Sequence, residues 1–96
     1  MVTAESLEGT IDDQWWYHLD VRNDVLYVTL LAERETPSVS EETPEGTFRV
    51  LRESDDVLIG YTLISWWKRF GTGAAPESLT QIKDSIERWV RLDRAA

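Results

Sequence analysis

The chain has 96 residues, 42% of them hydrophobic and 10% aromatic, and carries a formal charge of −8. That length suits one domain with one modest core. Having no cysteine excludes disulfides, thiolate metal sites and thiol catalysis, and the acidic balance argues against phosphate as a partner.

The charge is unevenly placed. Residues 1–46 hold eleven acids and two bases, and residues 47–96 hold seven acids and eight bases. The field of the first half favours solubility, or attraction to a basic protein. The opening MVTAESLEG lacks the basic and apolar regions of a secretory signal. No apolar run approaches the ~18–20 residues that would span a bilayer. A cytoplasmic protein without membrane contact is expected.

In chain order, residues 1–14 mix small, acidic and isolated apolar residues, which predicts a flexible arm. A single α+β domain is expected over 15–96. From Trp15 the chain alternates: Trp15, Tyr17, Leu19 and Val21 against Trp16, His18 and Asp20, the period of a strand. Arg22, Asn23 and Asp24 supply turn chemistry. Val25 to Leu31, rich in β-branched and aromatic residues, forms the second strand of a hairpin. Residues 32–46 contain five glutamates, Glu33, Glu35, Glu41, Glu42 and Glu45, together with Pro37 and Pro44. Proline excludes a central strand there, and an acidic loop is expected. Thr47–Arg52 and Val57–Trp67 read as a second hairpin closed by Glu53, Ser54, Asp55 and Asp56. The segments around Asp24 and Asp56 echo each other, since each places Asp-Val-Leu after a polar turn.

A linker, Gly71 to Pro76, leads to a helix over about 77–94. Leu79, Ile82, Ile86 and Trp89 make one apolar stripe, with Val90 beside it. Ser78 and Gln81 have capping-box spacing. The predicted architecture is a four-stranded antiparallel sheet of two hairpins, with this amphipathic helix packed on one face.

The second and fourth strands are apolar on both faces, and one helix covers one face of a sheet. A second copy of the chain is the simplest cover for the other face, because C2 homodimers are the commonest oligomers. In an up-down meander, Trp15, Trp16, Trp66 and Trp67 would crowd one end of the sheet, with Lys68 and Arg69 at the rim. These six residues are the candidate interface. A stacking surface for nucleic acid at the same place is disfavoured by the surrounding charge.

Little in the chain points to catalysis. His18 is the only histidine; a zinc site would need further His or Cys ligands. As a lone general base it would have no nucleophile motif beside it. Asp20, Asp24, Asp55 and Asp56 read as turn caps, without the spacing of a calcium loop. No cofactor, metal or catalytic group is expected.

The hairpin Asp20-x-x-x-Asp24-Val25-Leu26-Tyr27-Val28-x-Leu30 and the later Val57-Leu-Ile-Gly60-Tyr-Thr-Leu-Ile64 resemble a family of small uncharacterised bacterial proteins. The resemblance covers roughly residues 17–64. His18, the acidic loop and the C-terminal helix depart from the family pattern. Some family members are encoded beside toxin-like proteins, so the resemblance implies an antitoxin-like inhibitor of a basic partner. The functional expectation is a non-enzymatic protein-protein interaction module. The alternative is a small enzyme or ligand-binding domain using His18 or the Trp66-Trp67 region.

Overall fold

The computed structural model describes residues 6–44, 46–70 and 78–91. Six strands form one antiparallel sheet: β1 (Ser6–Ile11), β2 (Trp15–Asp20), β3 (Val25–Leu30), β4 (Ser38–Glu42), β5 (Thr47–Arg52) and β6 (Leu58–Ile64). Their order across the sheet is β1-β2-β3-β6-β5-β4. A short helix, α1 (Trp66–Phe70), follows β6, and a longer one, α2 (Leu79–Trp89), comes later. The expected four-stranded fold is therefore overturned, because two segments with weak strand signals each add an edge.

The first is β1, inside the segment expected to be an arm. Its pattern, with Leu7 and Ile11 turned to the core and Glu8 and Thr10 exposed, is interrupted by Gly9, which hides the alternation. The turn into β2 places Asp12 and Asp13 at φ 54 and 52, and the Gln14 N–H donates to the Ile11 carbonyl at 3.0 Å. Aspartate tolerates this left-handed backbone better than most residues, so two of them can do the work usually given to Asn-Gly.

The second is β4, inside the acidic loop. All five of its residues are exposed. It forms the outer edge, where Pro37 and Pro44 can flank a strand without breaking a ladder. Glu41 and Glu42 keep that edge charged, which discourages pairing with another chain.

Inserting β4 and sending β6 back beside β3 changes the parity of the meander. The Val25↔Ile64 pairing puts the end of β6 beside the start of β3, while Trp15 pairs with Leu30 at the other end. The strand also stops earlier than Trp67. Ser65 turns it with φ 56, and Trp66 and Trp67 begin α1. In a strand these neighbours would face opposite sides, whereas on a helix both can reach inward. They are 0% and 8% exposed.

Asp24 fixes this turn from 43 residues away. Its carbonyl accepts the Trp66 N–H at 3.0 Å. Its carboxylate accepts the N–H groups of Trp67 at 2.8 Å and Lys68 at 3.2 Å. These are backbone donors that a helix start leaves unpaired.

The core lies between one sheet face and α2. Tyr17, Leu19, Leu26, Val28 and Leu63 from the sheet meet Ile82, Ile86 and Val90 from the helix, and Trp66 and Trp67 close one end. Trp89 packs edge-on against Trp66 at 5.3 Å and Tyr61 at 6.5 Å. The Ser78 hydroxyl caps α2 by accepting the Gln81 N–H at 3.1 Å. The outer positions expected for this helix, 77 and 92–94, lie outside the described residues. A helix of 11 residues is roughly 16 Å long and 10–12 Å wide. Six strands span roughly 24 Å between edges. So α2 covers β1, β2, β3 and β6, and no residue of β4 or β5 joins its core cluster.

Candidate functional site on the open sheet face

Alternation sends one set of side chains away from α2. Pairing registers align them into two rows that cross all six strands. One row runs Glu8, His18, Tyr27, Thr62, Phe48, Glu42. The other runs Thr10, Trp16, Thr29, Gly60, Val50, Ser40. Aromatic rings on β2, β3 and β5 thus flank a middle of small residues, Thr29, Gly60 and Thr62.

Gly60 is required by its surroundings. A Cβ there would lie 2.3 Å from the Val28 carbonyl oxygen and 3.1 Å from the Thr29 Cα. These atoms belong to β3, and on the other side of β6 the ladder with β5 is irregular: Leu51 opposes Leu58 while Val50 opposes Gly60, so β6 carries one extra residue at Ile59. Glycine is the residue that allows so close an approach of backbones beside a bulge.

The rings form a connected series. Trp16 and His18 stack at 6.1 Å with 26° between planes, and His18 meets Tyr27 at 6.1 Å. The Glu8 carboxylate lies 3.3 Å from His18 Nδ1. The Arg34 guanidinium sits over the Trp16 ring, 4.6 Å from its centroid, within the range of a cation–π contact. Tyr27 and Ile64 remain 41% and 44% exposed.

Charged groups border this surface. Arg52 donates to both carboxylate oxygens of Asp55, at 2.9 and 3.0 Å, and also reaches Glu33. Its side-chain hydrogen bonds hold the Asp55 carboxyl below its ordinary range. Asp20 is likewise held down, first by the Asn23 side-chain amide and then by the Asn23 backbone N–H. Glu8, Asp20 and Glu42 add negative charge to the face, and Arg52 is already matched by two acids.

The six sequence-predicted interface residues do not gather in one place. Trp16 is on the open face. Trp15 packs on the core side of the same strand. Trp66 and Trp67 are in the core, at the opposite end of the sheet from Trp15 and Trp16. Lys68 and Arg69 are exposed on α1, and Arg69 Nη1 donates to the Ile64 carbonyl at 3.3 Å. His18, named as the alternative catalytic group, is held within the aromatic series.

Sequence reasoning passed over Tyr27, Phe48 and Arg34 as site residues. Tyr27 was visible in principle, since it alternates against Leu26 and Val28. Arg34 carried no signal, because its position over Trp16 depends on the 3-10 turn Leu31–Glu33 that ends β3.

The Trp66-Trp67 region borders a cavity of about 220 Å³, lined by Leu19, Val21, Asp24, Trp67 and Ile82. It falls below the ~300–1,000 Å³ usual for ligand pockets, and its one carboxylate is engaged by the α1 backbone. Among the described residues, no three His, Asp or Glu side chains gather as metal ligands. No helix among them is long and apolar enough to cross a membrane. Set against known proteins, the chain matches no family model, no curated protein and no solved structure.

Proposed function

We propose that this chain is a non-enzymatic protein-protein interaction module, with the open sheet face as its contact surface and a basic protein as its partner. One observation carries the reading: the face away from α2 presents Trp16, His18, Tyr27, Phe48, Val50 and Ile64 on one six-stranded antiparallel sheet. Aromatic side chains on a rigid support give large contact area at small entropic cost. The surface extends across six strands, which suits another macromolecule better than a small substrate.

Charge selects among partners. Two copies placed face to face would bring together two chains of −8 each, and nucleic acid would meet the same repulsion. A basic protein gains from the field instead. An antitoxin-like inhibitor is the form of this role that the family resemblance implies.

The test is capture from a lysate of the source cells with three baits. These are the wild-type chain, Tyr27→Ser combined with Ile64→Ser on the open face, and Val39→Ser, an exposed valine on β4 that projects to the other side. None of these changes alters charge. The reading expects one basic protein held by the wild-type and Val39→Ser baits and lost from the double variant. Equal retention by all three, or none by any, would overturn it.

A further inference from the structure

Arg34 already occupies one end of the aromatic series on the open face. Its guanidinium lies 4.6 Å from the centre of the Trp16 ring, and it comes from the turn after β3, not from the sheet itself. The molecule thus already contains one cation docked on the first ring of a connected series. Trp16 stacks on His18, and His18 meets Tyr27 at the centre of the sheet. Glu8 reaches His18 from the neighbouring strand, and Asp20 lies two residues further along β2, with its charged form favoured by Asn23. Ring faces with carboxylates beside them attract cations, and a guanidinium suits them because it is planar and weakly hydrated.

We propose that the ring series Trp16, His18, Tyr27 is a docking track for arginine side chains of the basic partner, and that Arg34 fills its first position until that partner arrives. This rests on the interaction reading above and gives the chemistry of the contact. Arg34 acts as an internal competitor, so the partner must displace it to reach Trp16. Because side chains on an extended segment repeat on one side every second residue, arginines spaced by two can follow the series.

The probes are the peptides acetyl-RGRGR-amide, acetyl-KGKGK-amide and acetyl-QGQGQ-amide. They are titrated into the full chain, with amide and indole N–H resonances followed by NMR. The arginine peptide is expected to bind a few times more tightly than the lysine peptide and to shift the Trp16 indole. Arg34→Ala should tighten its binding by about threefold, by removing the competitor. Arg49→Ala removes the same charge from the other sheet face, paired with Glu41 at 3.3 Å, and should change affinity by less than about twofold. Tyr27→Ser and Trp16→Leu should each weaken binding, by about fivefold for the latter. Tyr27 is 41% exposed, so its replacement gives a readout even if Trp16→Leu fails to fold.

Equal tightening by Arg34→Ala and Arg49→Ala would show bulk charge at work and would overturn the proposal. So would affinities unchanged by Tyr27→Ser and Trp16→Leu. If those results coincide with capture that still depends on Tyr27 and Ile64, the interaction surface stands and only its arginine chemistry is lost.

Discussion

Asp24 joins three parts of this molecule. It ends the β2–β3 turn in the left-handed region at φ 56, accepts the first N–H of α1 with its carbonyl, and accepts the next two with its carboxylate. Alanine would lose the cap, worth ~0.5–2 kcal/mol, and would meet the left-handed backbone cost of ~1–2 kcal/mol. Asp24→Ala is expected to lower stability by about 2 kcal/mol or more, read from urea unfolding. Asp24→Gly should fall between it and the wild type, since glycine avoids the backbone cost. An Asp24→Ala protein as stable as the wild type would contradict the capping role. Asp56 occupies the matching place before β6, at φ 59. The echo between the two Asp-Val-Leu segments therefore has a physical meaning: each aspartate makes the left-handed step that launches a strand.

At the scale of elements, β6 is the most constrained. It sits between β3 and β5, carries the bulge at Ile59 and sends the chain into α1. Gly60→Ala would drive a methyl into the Val28 carbonyl oxygen, a backbone atom that cannot rotate away. Overpacking typically costs ~1–3 kcal/mol, and this case should reach or exceed the upper figure, seen as a lowered melting temperature or loss of folded protein. A second glycine offers a contrast. At Gly9 the nearest atom to an added Cβ is the Tyr17 hydroxyl oxygen, at 3.0 Å, and a side chain can shift. Gly9→Ala should therefore be the milder of the two.

For the whole molecule, acid is the informative variable. Arg91 donates to both carboxylate oxygens of Asp12, at 3.1 and 2.9 Å, tying the β1–β2 turn to the end of α2. That hydrogen bonding holds the Asp12 carboxyl below its ordinary range, as Asn23 does for Asp20 and Arg52 for Asp55. A carboxyl held down in the folded state contributes stability that is fully present above its unfolded value. That contribution is lost as pH falls through the lower folded value. With unfolded aspartate near ~3.9, the urea midpoint should hold between pH 7 and about 5, then fall with increasing slope below about 4. Asp12→Asn should flatten part of that fall. A midpoint that rises steadily toward pH 3 would mean that relief of the −8 self-repulsion dominates instead.

The sequence alone determined the β2–β3 hairpin, the Ser78 cap and the apolar stripe of α2. Each rests on contacts a few residues apart, where periodicity and turn chemistry act directly. It set Tyr27 on the opposite face of β3 from Leu26 and Val28, and left both faces apolar. Tertiary structure decided the rest. Whether SLEGTI and SVSEE become strands depends on edges supplied by β2 and β5, and neither segment has enough apolar pattern to declare itself. Whether Trp66 and Trp67 share one core depends on Asp24, far away in the chain. The sheet order depends on where β6 inserts, and that order separates the tryptophans that a simple meander would have gathered. Arg34 reaches Trp16 only after these choices are made, because pairing across distant strands brings together residues whose spacing in the chain carries no period.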